Sequence, residues 1–328
     1  MVNVLITGAA GMVGGKLADR LIRDGTVADK PIEALTLADV VAPPARQAVG
    51  IDISNHAVDL ADPGVAERLL ADRPEVIFHV AAITSGEAEA DFDKGYRVNL
   101  DGMRLLFEAI RRIGHPYRPR LVWTSSIAVF GAPFPEPIPD DFFETPLTSY
   151  GTQKAIGELL LADYTRRGFC DGIGIRLPTI VVRPGEPNRA ASGFFSGIIR
   201  EPLAGKEAIL PVPDSVRHWH ATPRSAVNFL VHAAGLDGAA VGTRRNITMP
   251  GVSVTVAEQI AALRKVAGDR VAERIVRKPD QTIMRIVEGW PRNFAPERAL
   301  SLGFRAESSF EEIIRIHIED ELGGTWVK

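Results

Sequence analysis

Apolar residues fall along the chain in short runs separated by amphipathic stretches. "VNVLITG" (2–8) is aliphatic and β-branched and stops at a glycine; "AAGMVGGKLADRLIRDG" (9–25) then places apolar residues at helical spacing and ends on another glycine. The pair predicts strand, tight turn, helix. "EALTLADV" (33–40), "PEVIFHVAA" (74–82), "RLVWTSS" (120–126) and "GIGIRLPTIV" (172–181) read as further buried strands, and "NLDGMRLLFEAIRRIG" (99–114) and "TSYGTQKAIGELLLADYTRRG" (148–168) as helices. Strands that alternate with helices imply right-handed crossovers and a parallel sheet covered on both faces. The expected fold is a doubly wound α/β sheet.

Beyond about residue 180 the alternation weakens, and "VRPGEPNRAASGFFSGIIREPLAGKEA" (182–208) is rich in turn residues. Thr255 and Glu258 have capping-box spacing, which predicts a helix start. The expected division is residues 1–180 as a dinucleotide-type domain and 181–328 as a smaller, mainly substrate-binding lobe, with some later segments returning to the sheet. The proline-rich stretch 131–146 reads as an ordered loop, because strand and helix signals flank it closely.

With 45% hydrophobic and 24% charged residues among 328, the chain has the composition of a soluble globular protein. Its net charge of -3 offers no basic field to a nucleic acid or an anionic lipid surface. The longest stretches without a charged side chain, Met1 to Gly15 and Leu121 to Pro135, are shorter than the roughly 18 residues of a membrane span. No membrane or nucleic-acid partner is expected. The N-terminus has no basic region before its glycine-broken apolar run, so a signal peptide is not expected and the cytoplasm is the default location. Cys170, the single cysteine, excludes an internal disulfide and reads as a small buried residue. His218 and His220 would share one face of a strand, but no carboxylate completes a ligand spacing, and no metal is expected.

Two constellations carry chemistry. Gly8, Gly11 and Gly14 lie between the first strand and first helix, where small residues allow a tight turn and close approach of a pyrophosphate to a helix N-terminus. Asp39 ends the next strand, where an acid binds adenosine ribose hydroxyls and repels a 2′-phosphate, which favours NAD over NADP. Tyr150 and Lys154 stand one helical turn apart. A phenol with a pKa near 10 is a poor base at neutral pH unless a neighbouring cation stabilises its phenolate.

The G-x-x-G-x-x-G spacing with Tyr150 and Lys154 resembles the extended short-chain dehydrogenase/reductase family, over most of the chain. That family has a Rossmann domain and a smaller C-terminal substrate lobe, and uses NAD. "SSIAVFG" (125–131) matches its S-S-x-x-V-Y-G run with Phe130 in place of tyrosine, which implies Ser126 as the catalytic serine. The resemblance also implies cofactor contacts from Met12, Asp59 and Leu60 in "VDL", Ala81 and Ala82 in "HVAA", Asn99, Tyr150, Lys154 and Pro178. For Asn99 a backbone-bracing role is an equal alternative. Tyr150 would take the proton of a substrate hydroxyl, Ser126 would hold the reacting oxygen, and Lys154 would lower the phenol pKa and bind the nicotinamide ribose. Family members commonly form homodimers through the helices that here hold Asn99 to Arg112 and Tyr150 to Arg166.

Substrate class divides the family. Dehydratases carry Asp-Glu after the catalytic residue, whereas Ile127 and Ala128 follow Ser126, so dehydration is disfavoured. In nucleotide-sugar enzymes the segment matching "VRHWHATPRSA" (216–226) reads close to V-R-D-Y-x-H-V-x-D; Arg217 is kept, but Arg224 replaces the aspartate. The runs "SYGTQKAIGELLLADYTRRGFCDG" and "RLPTIVVRPGEPNRAASGFFSGIIREPLAG" resemble instead a dehydrogenase branch that oxidises the C2 hydroxyl of a four-carbon sugar acid. A nucleotide-sugar 4-epimerase with retained NAD is the alternative, and a non-catalytic cofactor-binding protein has no need of Ser126, Tyr150 and Lys154. Candidate substrate residues are Ser85, Ser125, Ser126, Tyr150, Thr179, Arg183, Asn188 and Ser192, although the serines and threonine can equally cap turns and Arg183 and Asn188 brace a loop. Phe194, Phe195 and Trp219 are either pocket wall or core.

Overall fold

In the first of two compact units, made of Met1–Val129, Thr148–Leu177 and Val227–Thr248, aliphatic runs pair side by side as parallel strands. The computed structural model describes residues 1–185 and 191–328. The strands are β1 (Val2–Thr7), β2 (Lys30–Asp39), β3 (Asp52–Ala57), β4 (Val76–His79), β5 (Arg120–Ser126), β6 (Asp171–Leu177) and β7 (Asn246–Thr248). They lie in the order β3-β2-β1-β4-β5-β6-β7. Chain direction across the sheet reverses between β1 and β4, and beside such a switch point the carboxyl ends of the strands form a binding crevice. Central β4 is buried throughout, as its unbroken apolar run requires.

Helix α1 (Met12–Asp24) stops at Gly25, whose φ of 66° is left-handed and whose N–H returns to the Leu21 carbonyl. Helices α2 (Gly102–Ile113) and α3 (Ser149–Arg166) cover a core of Ile77, Met103, Leu106, Phe107, Leu121, Trp123 and Leu161. Gly157 brings α3 close to β5: a Cβ there would stand 2.5 Å from the Trp123 ring. Among the leucines of these helices, Leu106 and Leu161 are core, Leu105 and Leu160 are half-buried, and Leu159 is exposed.

Phe130–Leu147, Pro178–Ala226 and Met249–Lys328 form the second unit. In it Arg217–Ala221 pairs in parallel with Thr179–Ile180 and antiparallel with Val252–Thr255. Helices α4 (Gly193–Leu203), α5 (Val256–Ala267) and α6 (Phe310–Leu322) enclose a core that includes Phe195, Ile198, Leu263, Phe310 and Ile314. The capping box on α5 forms: Thr255 Oγ1 accepts from Glu258 N at 3.1 Å, and Glu258 accepts from Thr255 N at 2.6 Å.

Besides the return of later segments to the sheet, the second unit takes a stretch from before residue 180. Residues 130–147 join the second unit, where Ile138–Pro139 pairs with Phe294–Ala295 and Phe130 packs 5.7 Å from Phe294. Such a segment has no periodicity of its own, and its partner lies far along the chain. Residues 227–248 return to the first unit and supply β7, which pairs with β6. Strand β3, "DISNHA", is largely polar and mostly exposed, so it lacks the apolar alternation that marks a strand. No helix among the described residues is long and apolar enough to cross a membrane.

Gly157→Ala is expected to destabilise the protein by about 1–3 kcal/mol in urea unfolding, because the added methyl overpacks the α3–β5 contact. Unchanged stability would show that the indole has room to yield.

Candidate active site

The glycine loop after β1 is closed by backbone packing. Gly8 has a φ of 82°, and its N–H and that of Ala9 both reach the Ala38 carbonyl, at 2.8 and 3.2 Å. A Cβ on Gly8 would lie 2.5 Å from Ala81 N, and one on Gly14 would lie 2.1 Å from Gly8 O. Only glycine fits either position. Gly11 is the N-cap of α1, Met12 its first residue, and no described side chain caps this turn. Its peptide N–H groups and the positive end of its dipole are thus available to an anion. Asp39, ending β2, accepts from Ala10 N at 2.9 Å and Val40 N at 2.7 Å, which holds a carboxylate beside the loop.

Asp59 accepts from Ala61 N at 2.8 Å and pairs with Arg97 at 2.6 Å, and Leu60 borders Gly102. Ala81 and Ala82 follow β4, and Pro178 follows β6. The bare glycine cradle, the open helix terminus and the acid at the end of β2 fit the diphosphate and adenosine ribose of NAD. Asn99 sits in a π-helical turn, Arg97–Asp101, and is buried. Its Oδ1 accepts from Ile83 N at 2.9 Å and its Nδ2 donates to Gln153 Oε1 at 2.7 Å, so both ends of its amide brace the protein.

Helix α3 presents the tyrosine and lysine. Thr148 caps it by accepting from Gly151 N at 3.0 Å. Ser149 N and Oγ both donate to Glu89. Tyr150 is half-buried; one turn on, Lys154 is buried, with Nζ 5.6 Å from the Tyr150 ring centroid and donating to Thr124 O at 2.8 Å. Burial pulls the Lys154 pKa down to about 7, against the opposing pull of the Glu158 carboxylate. His79, within 2.6 Å of Thr7 Oγ1, is held to about 3, first by burial and then by the Lys154 charge, so its imidazole is neutral at any working pH.

Ser126 ends β5 two residues past Thr124, whose carbonyl Lys154 binds, and its Oγ accepts from Ala128 N at 3.1 Å. The first unit therefore gathers Ser126, Tyr150 and Lys154 at the end of β5 and the start of α3. Ser125 is buried and donates instead to Glu158, which Arg176 grips through Nε and a terminal nitrogen. Glu158 and Arg176 were not picked out by sequence reasoning. For Glu158 the signal was the continuation of Tyr150 and Lys154 by one more helical turn; Arg176, on β6, had none.

In the second unit Thr179 Oγ1 lies 2.6 Å from Nε2 of buried His218, whose pKa burial lowers to about 3. Arg183 donates to Ile180 O at 3.1 Å and to Ser192 Oγ at 3.2 Å, so these two residues brace one another. Asn188 lies outside the described residues. Ser85, in the first unit, is half-buried at the start of the helix Ser85–Ala90. Phe194, Phe195 and Trp219 are core, and Trp219 Nε1 donates to Met249 O. His218 and His220 share a strand face, their rings 5.3 Å apart, and no group of metal-ligating side chains occurs among the described residues.

A family model described as "NAD dependent epimerase/dehydratase family" matches residues 4–221. The chain is 49% identical to a D-erythronate dehydrogenase of Cupriavidus necator, with 97% of this chain and 98% of that protein covered. It is 40% identical to a D-erythronate dehydrogenase of Haemophilus influenzae, covering 98% of this chain and all of that one. A crystal structure from Agrobacterium tumefaciens, described as a nucleoside-diphosphate-sugar epimerase, superposes with a TM-score of 0.97 at 63% identity and covers 99% of this chain and 95% of its own.

Between about pH 7 and the ordinary lysine value near 10.4, the unfolded chain holds the Lys154 proton more firmly than the folded one. The destabilisation from this lysine is therefore full below pH 7 and fades as pH rises to 10. The Tm of a Lys154→Met variant, relative to the parent and without ligand, is expected to fall across that window. A difference independent of pH would exclude the depressed value.

Proposed function

The chain belongs to the NAD dependent epimerase/dehydratase family and is an NAD-dependent dehydrogenase, and from that premise we propose that it oxidises the C2 hydroxyl of D-erythronate to 2-dehydro-D-erythronate. The observation that carries this reading is likeness to two D-erythronate dehydrogenases along almost the whole chain, substrate lobe included. Residues of the catalytic type are also intact and gathered in the first unit.

Bound NAD supplies the hydride acceptor. Gly8, Gly11 and Gly14 hold its diphosphate and Asp39 its adenosine ribose. Tyr150 takes the proton from the substrate hydroxyl. Bringing a phenol from about 10 to about 7 needs roughly 4 kcal/mol of preferential phenolate stabilisation. A buried ammonium at Lys154 acts with little solvent screening, which makes it suited to that task. Ser126 Oγ already accepts from Ala128 N, which leaves its own hydrogen free to donate to the reacting oxygen. His79, being neutral, adds no competing acid.

A nucleotide-sugar 4-epimerase is the second reading, favoured by the 63% identical structure described as such an enzyme. Against it, Arg217, which that reading needs for a diphosphate, donates to Ser253 O at 2.9 Å and pairs with Glu258 at 3.2 Å. Arg224 pairs with Glu319 and Asp320.

Offered NAD and a panel of aldonic acids and nucleotide sugars, the protein is expected to form NADH with D-erythronate in preference to the rest. Isomerisation of a UDP-hexose without net NADH would overturn the assignment. Tyr150→Phe is expected to cut kcat by at least about 100-fold while NAD affinity holds. Near-normal turnover in that variant would sink the proton-transfer role.

A further inference from the structure

Ser125 stands beside the serine assigned to the reacting oxygen, and successive strand residues face opposite sides of a sheet. Its side chain is buried and turned toward α3, where the hydroxyl donates to Glu158 Oε1 at 2.5 Å. A carboxylate only accepts, so the Ser125 hydrogen is committed to that bond. Glu158 lies two turns beyond Tyr150 and one beyond Lys154, in an i, i+4, i+8 row along α3. Arg176 reaches the same carboxylate, with Nε at 2.9 Å from Oε1 and 3.0 Å from Oε2. Ser125 and Arg176 are paired in the β5–β6 register, so adjacent positions on two strands grip one residue of α3.

A second stitch joins the same elements one residue earlier, from Lys154 Nζ to the Thr124 carbonyl at 2.8 Å. The tip of β5 is thus tied to α3 at Thr124 and Ser125, immediately before Ser126. Glu158 is wholly buried, and the Arg176 guanidinium neutralises it, which leaves its contact with the strand tip to a neutral hydroxyl.

We infer that Ser125, anchored by the Glu158–Arg176 pair, is a positioning residue that sets which way Ser126 faces relative to Tyr150, and does not touch substrate. The inference rests on the proposed role of Ser126. Loss of the Ser125–Glu158 bond frees the strand tip to rotate. A small rotation there turns the Ser126 hydroxyl from the reacting oxygen, which costs turnover and leaves substrate affinity nearly intact.

The test is a double-mutant cycle on Ser125→Ala and Ser126→Ala, read as kcat and KM with whichever acid of the panel gives NADH, beside a crystal structure of Ser125→Ala. Ser125→Ala is expected to lower kcat about 10-fold with KM, NAD affinity and Tm little changed, and to add nothing to the roughly 100-fold loss in Ser126→Ala. Its crystal structure should show Ser126 displaced from its bond with Ala128 N. Equal losses from Ser125→Ala in both backgrounds, or a raised KM at constant kcat, would overturn the inference, the latter in favour of a substrate contact. Full activity in Ser126→Ala, or no NADH from any acid, would instead defeat the proposed catalytic reading. The crystal structure then decides the positioning by itself: a displaced Ser126 upholds it and an unmoved one overturns it.

Discussion

Burial of the Lys154 ammonium against the end of β5 is the constraint on which the candidate site depends. Removing an ammonium from water is costly, and here the cost is partly offset by the Thr124 carbonyl, by the Trp123 ring 5.0 Å away and by the Glu158 carboxylate one turn on. Each of those partners requires α3 to lie tightly on the sheet. Gly157 permits that approach where any larger residue would meet the indole of Trp123. The same closeness that lowers the lysine pKa strengthens its field at Tyr150.

Topology delivers the remaining groups to the same end of the sheet. The strand order reverses between β1 and β4, so the loop after β1 and the residues after β4 meet, with Gly8 against Ala81. Neither Gly8 nor Gly14 has room for a side chain. What looks like permissiveness in the glycine spacing is a packing requirement. Asn99 and Gln153 then tie the segment after β4 to α3 through paired amides, which links the cofactor side to the helix that carries Tyr150.

In the proposed function, the second unit is the part that tells a sugar acid from a nucleotide sugar. Three of its arginines are already engaged: Arg183 with Ile180 and Ser192, Arg217 with Ser253 and Glu258, Arg224 with the acids of α6. His218 is neutral and bonded to Thr179, so that threonine enters any substrate contact with one hydrogen-bonding direction already used. These pairings are compatible with the small, hydroxyl-rich substrate proposed above, as is the likeness to D-erythronate dehydrogenases.

The alternating apolar runs by themselves determined the parallel strands β1, β2, β4, β5 and β6 and the helices α1 to α3. Glycines 8, 11 and 14, Asp39, Ser126, Tyr150 and Lys154 were legible as a candidate site, because the chemistry proposed for them needs fixed spacing within one or two neighbouring elements. The polar edge strand β3 and the transfer of residues 130–147 to the second unit were not, since each depends on a partner distant in the chain; a return of some later segment to the sheet was expected, but not which one. Only the tertiary structure turned Ser125 inward to Glu158 and Arg176, engaged both ends of the Asn99 amide, and placed Phe195 and Trp219 in core. The physical reason is that a hydrogen bond or a desolvated charge is decided by what packs against it, and local spacing carries no record of a neighbour on another strand.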